Sequence, residues 1–83
     1  MQITLKLYAM LTQYLPKNAE NNQVSLDISA ETSVADVINK LNMPDELVHL
    51  VLLNGVYIQP EQLAETHFSD ADVLAIWPPV AGG

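Results

Sequence analysis

The chain of 83 residues is long enough for one small domain, and its 49% of apolar residues predicts a globular protein with its own core. The absence of cysteine excludes disulfides, thiolate metal sites and a thiol nucleophile within this sequence. Ten carboxylates against three lysines, with no arginine, give a net charge of −7, which disfavours nucleic acid and anionic membranes as partners and favours basic proteins.

The N-terminal residues show no charged leader followed by an apolar run, and no apolar run approaches membrane-spanning length, so we expect a cytoplasmic protein. Ile3, Leu5 and Leu7 alternate with polar residues, a period of two that predicts a strand with one buried face. Residues 10–15 are expected to form a short helical turn ended by Pro16.

A polar loop over residues 17–22 separates the first strand from a second one. The alternation of Val24, Leu26 and Ile28 predicts that second strand and a hairpin between the two.

The clearest helix signal begins at Ser33, which can cap the backbone while Asp36 reaches back from three residues on, as in a capping box. The spacing of apolar residues predicts a core-facing stripe of Val34, Val37, Ile38 and Leu41. Met43-Pro44 is expected to stop the helix, because a residue before proline avoids the α region.

The Asn54-Gly55 pair between the apolar residues 50–53 and the return strand 56–58 predicts a tight hairpin. A polar stretch over residues 59–66 follows, with Leu63 as its expected contact to the core, and an acidic turn at residues 70–72 leads into the last strand.

Two strands, a helix and three further strands predict an α+β protein with a mixed sheet packed against one main helix, which is the β-grasp (ubiquitin-like) arrangement. We expect the β-grasp domain to span residues 1–77 and an extended tail to span residues 78–83.

The most informative stretch is the end of the sequence. The apolar strand pattern of residues 73–77 leads into Pro78 and Pro79, which lack an amide hydrogen and take the backbone out of a sheet ladder. The residues after them are Val80, Ala81, Gly82 and Gly83. Without Cβ atoms, Gly82 and Gly83 make backbone thin enough for a narrow channel, and we expect Gly83 to carry a free α-carboxylate that can be activated as an acyl-adenylate. The alternative is a frayed, functionless terminus.

This ending resembles that of the MoaD/ThiS family of ubiquitin-like sulfur carriers, and most of all its molybdopterin synthase branch. The stretch from Leu63 through the Phe68-Ser69-Asp70-Ala71-Asp72-Val73 segment is similar to the acidic turn before the last strand of that family. Ala71 stands where the family usually has glycine, and Trp77 stands where it more often has phenylalanine.

The resemblance implies a non-catalytic carrier that binds no cofactor itself. It implies that an adenylating enzyme of the MoeB/ThiF type uses ATP and magnesium to adenylate Gly83, and that a persulfide donor then converts Gly83 to a thiocarboxylate. It further implies a large subunit of molybdopterin synthase, of the MoaE type, whose pocket receives the tail and whose pterin precursor takes the sulfur. The tail residues carried over are Pro78, Pro79, Val80, Ala81 and Gly82.

Three other functions stay open at the level of sequence. One is sulfur carriage for thiamine or another thiolated product, and the Pro78-Pro79 pair favours the molybdopterin branch over it because that ending is most similar. The second is a ubiquitin-like modifier conjugated to lysines through Gly83. The third is a plain interaction domain with an inert tail.

Among the remaining side chains, Trp77 draws attention, because alternation along the last strand places it opposite Leu74 and Ile76. On that face it could anchor a partner or extend the core. His49 and His67 are isolated and expected at or near the surface. The residue pair formed by Asp70 and Asp72 is expected to cap its own turn rather than act as acid and base.

Overall fold

The computed structural model describes residues 1–79, which form a five-stranded sheet with one α-helix across one face. The strands are β1 (Gln2–Leu7), β2 (Gln23–Asp27), β3 (Leu50–Leu53), β4 (Val56–Tyr57) and β5 (Val73–Trp77), and the helix is α1 (Val34–Lys40). Short 3₁₀ helices lie at Ala9–Tyr14, Asp45–Leu47 and Pro60–Gln62.

The strand order is β2-β1-β5-β3-β4, so the last strand lies in the middle of the sheet. β5 runs parallel to β1, with Leu5 paired to Leu74, and antiparallel to β3, with Val51 paired to Ile76. β1 and β2 form the predicted antiparallel hairpin. The mixed sheet and its single helix confirm the predicted β-grasp fold.

The core lies between this sheet and α1, and its most deeply buried side chains come from alternate strand positions, as the period of two predicts. The fully buried members are Ile3, Leu5, Leu7, Leu11, Val34, Leu74 and Ile76. Leu63 packs against the core from the loop before β5, as expected.

Helix α1 begins as its sequence predicts, because both halves of the capping box are present. The Asp36 amide donates to Ser33 Oγ at 3.1 Å, and the Ser33 amide donates to Asp36 Oδ2 at 3.0 Å. The predicted stop at Met43-Pro44 is wrong by a few residues. The helix ends at Lys40, because Asn42 adopts a left-handed conformation with φ of 61° before the proline is reached.

The Asn54-Gly55 turn joins β3 to β4 as predicted. Asn54 has φ of 52° and Gly55 has φ of 81°, the positive values that a type I′ turn requires at both central residues. The Ile58 amide continues the pairing with a 2.9 Å bond to the Val51 carbonyl. The expected turn over residues 10–15 is also present, as the 3₁₀ helix Ala9–Tyr14.

Candidate functional site

The predicted tail follows β5, the central strand of the sheet. Neighbouring strands flank β5 on both sides, and Leu74 and Ile76 are fully buried beneath it. At its last residues the Tyr8 amide donates to the Ile76 carbonyl at 3.2 Å, and the His49 amide donates to the Trp77 carbonyl at 3.0 Å. The backbone is therefore held from both sides up to Trp77.

Trp77 lies on the sheet face opposite Leu74 and Ile76, as alternation predicts. Its ring stacks on Tyr8, with ring centroids 4.1 Å apart and planes 4° from parallel. The side chain is half-buried, and it does not belong to the hydrophobic core between the sheet and α1. Since stacking covers one side of the indole, Trp77 keeps accessible apolar surface next to the end of β5.

The two prolines after Trp77 differ in their surroundings. Pairing of β5 with β3 ends at Trp77 and Leu50, consistent with residues that have no amide hydrogen to donate. Pro78 is buried against the domain, whereas Pro79 is exposed, so the backbone reaches the surface at Pro79. The other predicted tail residues, Val80, Ala81 and Gly82, and the predicted reactive residue Gly83 lie outside the described residues.

Trp77 is part of a larger apolar surface on the face of the sheet that α1 leaves open. Cross-strand pairing places Leu50 beside Trp77, and Leu52 beside both Ala75 and Tyr57. Leu50 and Leu52 are half-buried, and Tyr57 is 48% exposed. We call the surface formed by Tyr8, Leu50, Leu52, Tyr57 and Trp77 the open-face strip.

Trp77 is the one member of this strip that was predicted from the sequence as a partner contact. A signal was available in the continuous apolar run of residues 50–53, since strands covered on both faces have such runs. Only the sheet order shows that one face of β3 belongs to the core and the other to the strip.

The acidic turn of residues 70–72 lies at the start of β5, and its two carboxylates accept hydrogen bonds. Asp70 Oδ1 accepts a 2.9 Å hydrogen bond from the Gln2 amide. Asp72 Oδ2 accepts a 2.7 Å bond from the Ser69 amide, while its Oδ1 accepts a 2.8 Å bond from Asn54 Nδ2. Asp72 therefore caps its own turn, as the sequence predicts, whereas Asp70 binds the start of β1 instead. Ala71, between them, has φ of 71°, the conformation in which glycine is preferred.

The two histidines lie apart from the acidic turn, at the surface of the described chain. His49 and His67 are exposed, as expected. Within residues 1–79, no three His, Asp or Glu side chains are placed to hold a metal ion. The pKa of Asp36 is lowered, first by the Ser33 backbone hydrogen bond, then by the Ser33 hydroxyl, with a smaller contribution from His67.

Among residues 1–79, no helix combines the length and the apolar character needed to cross a membrane.

Comparison with known proteins identifies both a family and a set of similar folds. The model of the ThiS family matches residues 12–83. SAMP1 from Haloferax volcanii is similar in structure, with a TM-score of 0.70, 24% identity and full coverage of both chains. No match was found among curated protein sequences.

Two further similar structures concern molybdopterin converting factor. The putative subunit 1 from Pyrococcus furiosus has a TM-score of 0.69 and 18% identity, over 95% of this chain and 98% of its own. A chain in the complex of subunits 1 and 2 from Helicobacter pylori has a TM-score of 0.60 and 20% identity, with full coverage of both chains. At these identities, the three structural similarities establish the shared ubiquitin-like fold.

Proposed function

We propose that this chain, which belongs to the ThiS family of ubiquitin-like sulfur carriers, is the sulfur-carrier subunit of a molybdopterin synthase. In this proposal Gly83 carries the sulfur as a C-terminal thiocarboxylate and delivers it to a pterin precursor. The chain has no catalytic role of its own and acts through the enzymes that receive its tail.

The observation that carries the proposal is the position of β5. This strand is held between β1 and β3, ends at Trp77, and reaches the surface at Pro79. A terminal group four residues further on is therefore attached to the central strand of the sheet. Since a partner that grips the domain beside Trp77 fixes where the tail begins, only a few backbone torsions remain to be ordered.

The proposed chemistry starts with a carboxylate that is a poor electrophile. In the activating enzyme, a Gly83 carboxylate oxygen attacks the α-phosphorus of ATP and releases pyrophosphate, which gives an acyl-adenylate. The terminal sulfur of a donor persulfide attacks the acyl carbon and AMP leaves. A thiol then reduces the remaining sulfur–sulfur bond, freeing the thiocarboxylate. Because this chain has three lysines and no arginine, the magnesium and basic groups that stabilise the phosphates belong to the partner.

The partner surface that we propose for the large subunit is the open-face strip. It is apolar, lies next to the start of the tail, and includes Trp77, a residue type enriched in interface hot spots. Among the similar structures, the Helicobacter pylori protein is described in complex with subunit 2 of molybdopterin-converting factor. A MoaE-like subunit that is basic around its pocket would also suit the net charge of −7.

The test is the intact mass of the native, untagged protein after incubation with an activating enzyme, ATP, magnesium and a persulfide donor. The expected result is exchange of one oxygen for one sulfur, followed by loss of that sulfur when large subunit and pterin precursor are added. Deletion of Gly83 should abolish loading, and Gly82→Val should slow it strongly by obstructing the channel. Ala81→Gly, which removes only a methyl group, is the matched control and should load normally.

Persistence of the mass change without Gly83, or equal loading of Gly82→Val and the parent protein, would overturn the proposal. Loading without transfer to the pterin would instead favour a ThiS-type carrier for thiamine or another thiolated product.

A second candidate function is supported by SAMP1, since a small archaeal modifier protein 1 is among the similar structures. In this alternative, Gly83 forms isopeptide bonds with lysines of other proteins. Higher-mass conjugates that depend on Gly83 and resist thiol reduction would favour the modifier over the carrier.

A further inference from the structure

The Asn54-Gly55 turn carries a side chain that can react with the backbone beside it. Of the six asparagines in the chain, only Asn54 is followed by glycine. The backbone nitrogen of the next residue can attack an asparagine side-chain amide, and a side chain on that next residue obstructs the attack. Gly55 has no side chain, and apart from its chain neighbours no atom lies within 4 Å of where a Cβ would stand. Both residues are exposed, so water reaches the turn.

In the folded protein the Asn54 side chain is held by two hydrogen bonds at the start of β5. Its Nδ2 donates to Asp72 Oδ1 at 2.8 Å, and its Oδ1 accepts from the Val73 amide at 2.8 Å. The Asn54 backbone amide also donates to the Val73 carbonyl at 2.8 Å. These contacts join the β3–β4 turn to the central strand, and they direct the side-chain amide toward residues 72 and 73.

This joint requires a neutral amide at position 54. Asp72 accepts at both carboxylate oxygens, from the Ser69 amide at 2.7 Å and from Asn54. Because an ionised carboxylate only accepts hydrogen bonds, a second carboxylate at position 54 would replace a hydrogen bond with two like charges in contact. Among the described residues, no cation forms an ion pair with Asp72 that would offset the added charge.

We propose that Asn54 is a site of spontaneous deamidation, that the contact with Asp72 slows the reaction in the folded chain, and that the product releases the β3–β4 turn from the start of β5. The Gly55 nitrogen attacks Asn54 Cγ and forms an N–Cγ bond. The Cγ–Nδ2 bond breaks, and ammonia leaves with the former amide proton of Gly55. Water then adds to either carbonyl of the cyclic imide and opens it, which gives aspartate or isoaspartate.

Both products place a new carboxylate beside Asp72, and isoaspartate also lengthens the main chain of a tight turn. The strand most exposed to this change is β4, which pairs with β3 alone in the described sheet. That pairing consists of Leu52 with Tyr57 and Leu53 with Val56. Since the reaction needs no enzyme, the share of weakened molecules rises with the age of the protein.

The first experiment follows the full chain by intact mass and peptide mapping during incubation at neutral pH and physiological temperature. The expected result is slow exchange of one amide nitrogen for oxygen at Asn54, with aspartate and isoaspartate as products. Conversion should be faster in urea, where the contacts with residues 72 and 73 are absent. In urea, Gly55→Ala should slow the conversion severalfold, because the added methyl group obstructs the attack.

The role of Asp72 is tested by its truncation. Asp72→Ala removes the acceptor for Asn54 Nδ2, so conversion should become faster than in the parent protein in native buffer but not in urea. Asp70→Ala is the matched control in the same turn, since its carboxylate accepts from the Gln2 amide and does not contact Asn54. This control should convert at nearly the parent rate.

Exchanging the two side chains tests the effect of charge. Asn54→Asp reproduces one product and should raise the ratio of unfolded to folded molecules about tenfold at neutral pH, since like charges replace a hydrogen bond. Combining it with Asp72→Asn keeps every hydrogen bond with the donor reversed. The amide at position 72 then donates to the carboxylate at 54, and its oxygen still accepts from the Ser69 amide. This pair should restore most of the stability, whereas Asn54→Asp with Asp70→Asn, which has the same net charge, should not.

Absence of conversion even in urea, or conversion at other asparagines in place of Asn54, would overturn the proposal. Equal rates for Asp72→Ala and Asp70→Ala in native buffer would do the same. So would equal stability of Asn54→Asp and the parent protein, or failure of Asp72→Asn to restore it. None of these variants changes Gly83, so their outcome is separate from that of the sulfur-loading test.

Discussion

Replacing Trp77 with alanine should lower the free energy of unfolding by about 1–2 kcal/mol, less than the roughly 3–5 kcal/mol for a tryptophan in a core. The estimate follows from its surroundings. The ring is half-buried, lies outside the core, and stacks on Tyr8 at 4.1 Å. A stacked aromatic pair contributes about 0.5–1.5 kcal/mol beyond its buried area, and the remaining loss comes from the partial burial.

Urea unfolding of Trp77→Ala, Tyr8→Ala and the double variant measures this directly. The double-mutant cycle should give a coupling free energy of about 0.5–1.5 kcal/mol, because each ring loses the same partner. Tyr57→Ala is the matched control on the same sheet face. Tyr57 is 48% exposed, and its truncation should show no such coupling to Trp77.

Binding to the large subunit tests the functional half of the same prediction. Trp77→Ala should weaken binding at least roughly tenfold, since an aromatic anchor contributes about 2 kcal/mol or more on truncation. Added salt should mainly slow association, because screening acts on the approach of the charged partners rather than on the buried ring. A variant that loses core-like stability and yet binds normally in its folded fraction would refute the anchor role.

Two further predictions concern the backbone conformation and charge that the structure assigns. Ala71→Gly should raise the free energy of unfolding by about 0.5–1 kcal/mol. The left-handed φ of 71° costs alanine roughly 1–2 kcal/mol, and removing that strain is partly offset because glycine loses more backbone entropy on folding. In thermal melts Ala30→Gly, at a position without positive φ, should be destabilising instead, and a gain there would contradict the reasoning. Because the pKa of Asp36 is lowered in the folded state, its contribution is present above the ordinary value of 3.8 and is lost as pH falls through the lower folded value. Urea unfolding should show that this acid-dependent loss of stability is smaller in Asp36→Asn than in the parent protein, and equal acid dependence in the two would count against the assignment. At neutral pH, Ser33→Ala should lower the free energy of unfolding by about 1 kcal/mol.

The elements that the sequence predicts correctly are those with local causes. The Asn54-Gly55 turn needs two residues that accept positive φ, and the cap of α1 needs Ser33 and Asp36 three positions apart. Alternation in the first strand gives the buried face directly. In each case the decisive contacts lie within a few residues of one another, so the sequence pattern contains them.

What the sequence did not reveal depends on distant pairing. Tyr8 meets Trp77 only because the first and last strands lie parallel, and Leu50 joins them only through the register of β3 on β5. The end of α1 depends on the conformation of Asn42, which a pattern centred on Met43-Pro44 does not contain. Ala71 departs visibly from the glycine that the family usually has, but only the structure shows that this residue adopts a positive φ.

The arrangement of surfaces bears on how one tail can serve two enzymes. In the proposed function, the activating enzyme and the large subunit must each seat Gly83, so they cannot hold the same molecule at once. Release after each step then matters as much as binding, and a half-buried Trp77 already stacked on Tyr8 offers a partner only part of its surface. That limits the affinity available at the strip, while the net charge of −7 speeds each new encounter with a basic partner.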